Sequence, residues 1–137
     1  MASQPNISGV WQATIDNMVV HDPGMDSTLI VDGNQPFGVS ARVTGSGVFW
    51  GWAEALGVSF TVEYYAERFG GPPEGVDLGT ANVTMAPGGT YDNPNTTLTV
   101  PAGTVQPGVY RIMCMARWHT GITAFPDAAA ELLIEVY

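Results

Sequence analysis

The groups with which this 137-residue chain could do chemistry are two histidines, one cysteine and 13 carboxylates, so their spacing is weighed first. His21 stands among Asp16, Asp22, Asp26, Asp32 and Asn34. Calcium asks for about six to eight oxygens from a tight loop. Here the aspartates are four to six residues apart and no D-x-[DN]-x-[DN]-G pattern occurs. These acids, and those of the run 91–95, are expected to cap their own turns. Zinc would require His21, His119 and Cys114 to converge with a carboxylate, and nothing in their spacing demands it. The expectation is no metal and no cofactor. For nucleophilic catalysis, Gly45-Ser46-Gly47 reads as a hairpin turn, not as a strained G-x-S-x-G elbow. Cys114 with His119 could form a thiolate–imidazolium pair. Cys114, however, alternates with Tyr110, Ile112, Ala116 and Trp118, the face expected inside, where a lone cysteine acts as a small apolar residue. Glu63 and Glu67 fall on the polar face of one strand and are expected to be solvated. No catalytic residue is assigned, and the chain is not expected to be an enzyme.

The elements that would carry these side chains have a period of two. Val58, Phe60, Val62, Tyr64 and Ala66 alternate with Ser59, Thr61, Glu63, Tyr65 and Glu67, the pattern of a half-buried antiparallel strand. Phe37, Val39, Ala41 and Val43 alternate with polar residues in the same way. Further strands are expected at 7–15, 27–32, 47–53, 80–86 and 96–100, with longer ones at 108–118 and 130–137. Turn residues separate them: Asp22-Pro-Gly, Asp32-Gly-Asn, Gly45-Ser-Gly, Gly70-Gly-Pro-Pro, Pro87-Gly-Gly and Gln106-Pro-Gly. With 17 glycines, 10 prolines and no credible long helix, the reading is a two-sheet sandwich or barrel. One helical turn starting at Asp127 is expected before the last strand, and 70–77 reads as a long surface loop. Residues 1–137 are expected to form a single domain.

The segment 98–118 is the most informative. A strand ends at Val100, a Pro/Gly-rich corner follows, and Gly108-Val-Tyr110 opens a long strand. This resembles the corner between strands E and F of immunoglobulin-like sandwiches, where a tyrosine hydrogen-bonds back across the corner. Tyr110 takes that place, although Cys114 lies four residues later and has no partner cysteine. The resemblance implies an all-β, immunoglobulin-like antiparallel sandwich of seven to nine strands.

Composition narrows the partners. Four arginines, no lysine and 13 acids leave a net charge of −9, which argues against binding nucleic acid or an anionic membrane. The start MASQPNISG has neither a basic nor an apolar signal region, and with a single cysteine the expected location is cytoplasmic. On strand 108–118 the non-core face reads Val109, Arg111, Met113, Met115 and Arg117, two methionines beside half of all the positive charge. Methionine adapts to partner surfaces and arginine is enriched at interfaces. Arg111, Met113, Met115 and Arg117 are therefore the candidate surface for a protein partner, another copy of the chain included. A lysine-free edge is also open to strand pairing. The alternative reading is carbohydrate binding by Trp50 and Trp52 of the expected strand 47–53, where both share one face and could stack on a sugar ring. Trp11 and Trp118 are expected in the core.

Overall fold

The computed structural model describes residues 9–24, 26–70, 75–119, 123–124 and 132–137. In chain order the elements are β1 (Gln12–His21), β2 (Ile30–Val31), β3 (Phe37–Ser46), α1 (Val48–Leu56), β4 (Ser59–Arg68), β5 (Gly75–Thr84), β6 (Leu98–Val100), β7 (Gly108–Trp118), β8 (Thr123–Ala124) and β9 (Leu132–Val136). One sheet runs β1-β3-β6 and the other β2-β9-β7-β4-β5, with β8 also pairing β7. Pairing is antiparallel except for β2 against β9, which is parallel.

The period-two pattern explains why these strands close on one another. Val39, Ala41 and Val43 of β3, Phe60, Val62, Tyr64 and Ala66 of β4, and Tyr110, Ile112, Cys114, Ala116 and Trp118 of β7 are all buried. They point into the space between the sheets, where removal from water is the main stabilising term. Two polar links cross this core. The Tyr64 hydroxyl donates to the Thr96 carbonyl at 2.7 Å, and the Thr96 hydroxyl donates to the Ala41 carbonyl. Burial of such groups is tolerated because they are paired. At the corner before β7 the Tyr110 hydroxyl donates to the Gln106 carbonyl at 2.9 Å, as the tyrosine-corner resemblance implies.

The expected strand at 47–53 is instead the helix α1, and the Gly45-Ser46-Gly47 hairpin is not formed. β3 continues through Ser46, and Gly47 at φ 106° turns the chain into the helix. The unpaired N–H groups of the first turn find partners outside the helix: Val48 donates to the Gly9 carbonyl and Phe49 to that of Val10, at 3.3 and 3.0 Å. Gly57, left-handed at φ 67°, closes the other end by donating to carbonyls of the last turn. The uninterrupted apolar run Val48–Ala53 fits either period. The helical one wins because it drops Trp50 and Ala53, three residues apart, into the core together.

Other boundaries shift modestly. β1 extends to His21 although it was expected to end near residue 15, and β5 starts at Gly75, so the expected loop 70–77 is shorter. The helical turn expected at Asp127 lies outside the described residues.

Candidate functional site

β7 occupies the middle of the larger sheet, between β9 and β4, and its outward residues form rows with those of its neighbours. Arg111 is opposite Glu67 and Leu133, Met113 opposite Tyr65, Met115 opposite Glu63, and Val109 opposite Glu135, which in turn faces Ile30. The four candidate residues are thus brought onto one face. Met113 and Met115 are half-buried, while Ile30, Val109 and Leu133 are exposed. The terminal strand β9 lies beside β7 in the sheet and does not fold over this face.

The arginines are neutralised within the sheet. Arg111 donates to the Glu67 carboxylate at 2.8 Å, and Arg117 lies 3.6 Å from Glu63. The Tyr65 hydroxyl also donates to Glu63, at 3.1 Å. Burial, helped by the Glu63 charge, pushes the Tyr65 phenol above its ordinary pKa. Such half-exposed pairs add little stability, because water already solvates both partners. Their consequence here is that the charges beside Met113 and Met115 are paired within the face, while Glu135 stands exposed between Val109 and Ile30. Ile30 and Leu133 were missed as members of this face. Both lay in expected strands, but only the sheet order places Leu133 beside β7 and Ile30 one strand further out.

The two tryptophans of the alternative reading are separated by the helix. Trp50 is 7 % exposed and packs against Trp11, Tyr91 and Trp118, with ring centroids 5.2 to 6.0 Å apart. Trp52 is 59 % exposed and pairs with Phe49 at 5.1 Å. Phe49, Trp52, Ala53 and Leu56 line a surface groove of about 270 Å³ with Trp11, Val58 and Trp118. Its lining is apolar throughout, and the Trp118 indole N–H is already engaged with Met85 Sδ at 3.2 Å. A sugar needs hydroxyl partners as well as a ring to stack on, and this lining offers few.

The groups considered for catalysis or metal binding are held apart in local contacts. His21 Nε2 and Ser40 Oγ share a buried hydrogen bond of 3.0 Å, while Ser59 Oγ and His119 Nδ1 lie 2.8 Å apart at the surface. Asp22 and Asp32 accept backbone N–H groups of Asp26 and Asn34, at 3.0 and 2.9 Å, as turn caps do. Among the described residues no three His, Cys, Asp or Glu side chains gather as a metal site. Tyr91, expected only as part of a turn, is buried and donates to Glu54 at 2.6 Å, which ties α1 to the 86–91 loop. Burial and the neighbouring Glu54 carboxylate push its phenol up to about 12.

Cys114 is buried on the inner face of β7, and burial pushes its thiol up to about 12. The folded state therefore favours the neutral thiol. That contribution to stability is complete below about pH 9 and is lost as pH rises from about 9 towards 12. Labelling with a thiol reagent at mildly alkaline pH should be negligible in the folded protein and prompt in urea. Rapid labelling without denaturant would show that the thiol is not sequestered.

No family model matches the sequence, and no curated protein is significantly similar to it. Similarity to solved structures is confined to the fold. A β-glucosidase from Listeria innocua aligns with 92 % of this chain at 8 % identity and TM-score 0.51, and the chain spans 16 % of that enzyme. The major subunit of aggregative adherence fimbriae type I from Escherichia coli aligns with 98 % of this chain and 100 % of its own length, at 14 % identity and TM-score 0.50. The CARDB domain of a Pyrococcus furiosus protein, solved with two metal ions, covers 98 % and 95 % at 16 % identity and TM-score 0.46. Strand order, tyrosine corner and the likeness to the fimbrial subunit agree: the chain folds as an immunoglobulin-like β-sandwich.

Proposed function

We propose that this domain is a non-catalytic protein-interaction module that docks a protein partner, another copy of the chain included, on the outer face of its larger sheet. The observation that carries the reading is the group of apolar side chains Val109, Leu133, Met113 and Met115 on this face, with Ile30 beyond the exposed Glu135. The arginines beside it are already paired with glutamates of the same sheet. Because Arg111 and Arg117 are paired, Met113 and Met115 can be covered without stranding either cation, which would otherwise cost several kcal/mol, and Glu135 stays at the rim. Apolar burial contributes about 25 cal/mol per Å², against which association costs must be set. Arg111 and Arg117 stay at the rim, where partial hydration is kept. The long edge strands β1 and β5 carry no lysine or proline to block pairing. The fimbrial protein, a major subunit of adherence fimbriae, offers a precedent for this fold in such a role.

Light scattering after gel filtration, over a range of concentrations and with any co-purified partner, tests the proposal. Met113→Asp places a charge among these side chains and should weaken association about tenfold or more, with little change in the urea midpoint. Association unchanged in this variant and in Leu133→Glu would remove the face from consideration.

A further inference from the structure

The outward side of α1 is a second feature, on a different part of the surface. Phe49, Trp52 and Leu56 lie three and four residues apart and form one stripe, and Val48 adjoins it. All four are exposed, Leu56 at 80 %. The helix carries one charge, Glu54, and that carboxylate is turned to Tyr91. Large side chains of this kind bury about 150–250 Å² each when fully covered. At roughly half exposure the stripe offers on the order of 400–500 Å², short of the roughly 800 Å² per partner of a standard interface. The patch is too small to hold two copies together by itself, and a net charge of −9 on each copy opposes that pairing. Three of the four arginines are already bound to carboxylates, Arg42 to Asp16, Arg111 to Glu67 and Arg117 to Glu63. The surface field is therefore that of the remaining acids.

We infer that the α1 groove receives a bulky apolar side chain from a short cationic segment of another polypeptide. The groove between Trp52, Leu56, Val58 and Trp118 seats the side chain, and the net charge of −9 on the whole chain attracts the flanking positive charge. A helix-in-groove or extended peptide uses an anchor of this kind. Electrostatic attraction raises its association rate and makes it salt-sensitive.

Titration of the full chain with a short synthetic Lys/Leu/Phe peptide, followed by tryptophan fluorescence and calorimetry, tests the inference. Binding is expected, and the same peptide with Glu for Lys should not bind. Trp52→Ala should weaken binding about tenfold. Leu56→Glu is the decisive variant: it adds negative charge, so attraction by charge alone would tighten binding, whereas occupancy of the groove requires it to weaken. Both residues are exposed, so each variant should keep the wild-type urea midpoint. Met113→Asp, on the sheet face, should leave peptide binding unchanged, which separates this site from the one under Proposed function. Binding that ignores Trp52→Ala and tightens with Leu56→Glu would overturn the inference. So would equal affinity for the acidic peptide, self-association abolished by Leu56→Glu, or binding to phosphatidylcholine vesicles in place of the peptide.

Discussion

Trp118→Ala is expected to destabilise the domain by about 3–5 kcal/mol, a large share of the 5–15 kcal/mol typical of a single domain. Trp118 ends β7 with 1 % of its surface exposed. It stacks on Phe60 at 4.8 Å and 29°, meets Trp11 edge-on at 5.3 Å, and lies 6.0 Å from Trp50. Truncation removes the central ring of this cluster and leaves a cavity that the rings of Phe60 in β4, Trp50 in α1 and Trp11 just before β1 cannot close without shifting. The cost therefore exceeds the transfer of the lost atoms from water. Trp118→Phe keeps most of the stacking on Phe60 and should lose much less. Urea unfolding followed by circular dichroism provides the measurement, with m-values compared to verify two-state behaviour. A loss below about 1 kcal/mol would mean that the cluster is not the tight contact described.

Gly45→Ala should cost about 1–3 kcal/mol despite being the smallest change a glycine can undergo. A methyl group on Gly45 would fall on the ring of Trp50, which lies flat against the β3 backbone there. Either the indole or the strand must move, and with the indole goes α1, since Trp50 and Ala53 are its buried residues. Gly51→Ala is the matching control. Gly51 lies within α1 and a methyl group there meets nothing within 4 Å. That change should stabilise by about 0.5–1 kcal/mol, because glycine loses more freedom than alanine in a helix. The clash also predicts non-additivity: in a Trp50→Leu background the Gly45→Ala penalty should largely vanish. A penalty that persists there would place its origin elsewhere.

Both effects bear on the proposed α1 groove. The groove under Trp52 and Leu56 has Trp11 and Trp118 in its lining, so the ring cluster that stabilises one end of the sandwich also shapes the exposed site. The sheet face depends instead on strand register. A slip of one residue between β7 and β4 would turn Met113 and Met115 inward and Cys114 outward. The pairing of Phe60 with Trp118 and of Arg68 with Tyr110, at the two ends of the ladder, holds that register.

The buried faces of the long strands are written in local alternation. Alternation at 37–43, 58–66 and 108–118 is a local property, and the side chains it assigns to the core are the ones that lie there, apart from the half-buried Val58 at the entry to β4. Tyr110 was legible for a similar reason, since a Pro/Gly corner and a tyrosine at a strand start lie close together in the chain. The segment 48–56 was not legible. Its apolar residues satisfy a period of two as well as a helical one, and the choice depends on contacts with Gly9, Val10 and Tyr91, distant in sequence, and on the fit of Trp50 over Gly45. The candidate surfaces divide in the same way. The Met113 and Met115 ladder could be read from one strand. That Ile30 and Leu133 extend it, and that Phe49 and Leu56 join Trp52, follows from sheet order and helix formation. These are outcomes of long-range packing, which local periodicity does not encode.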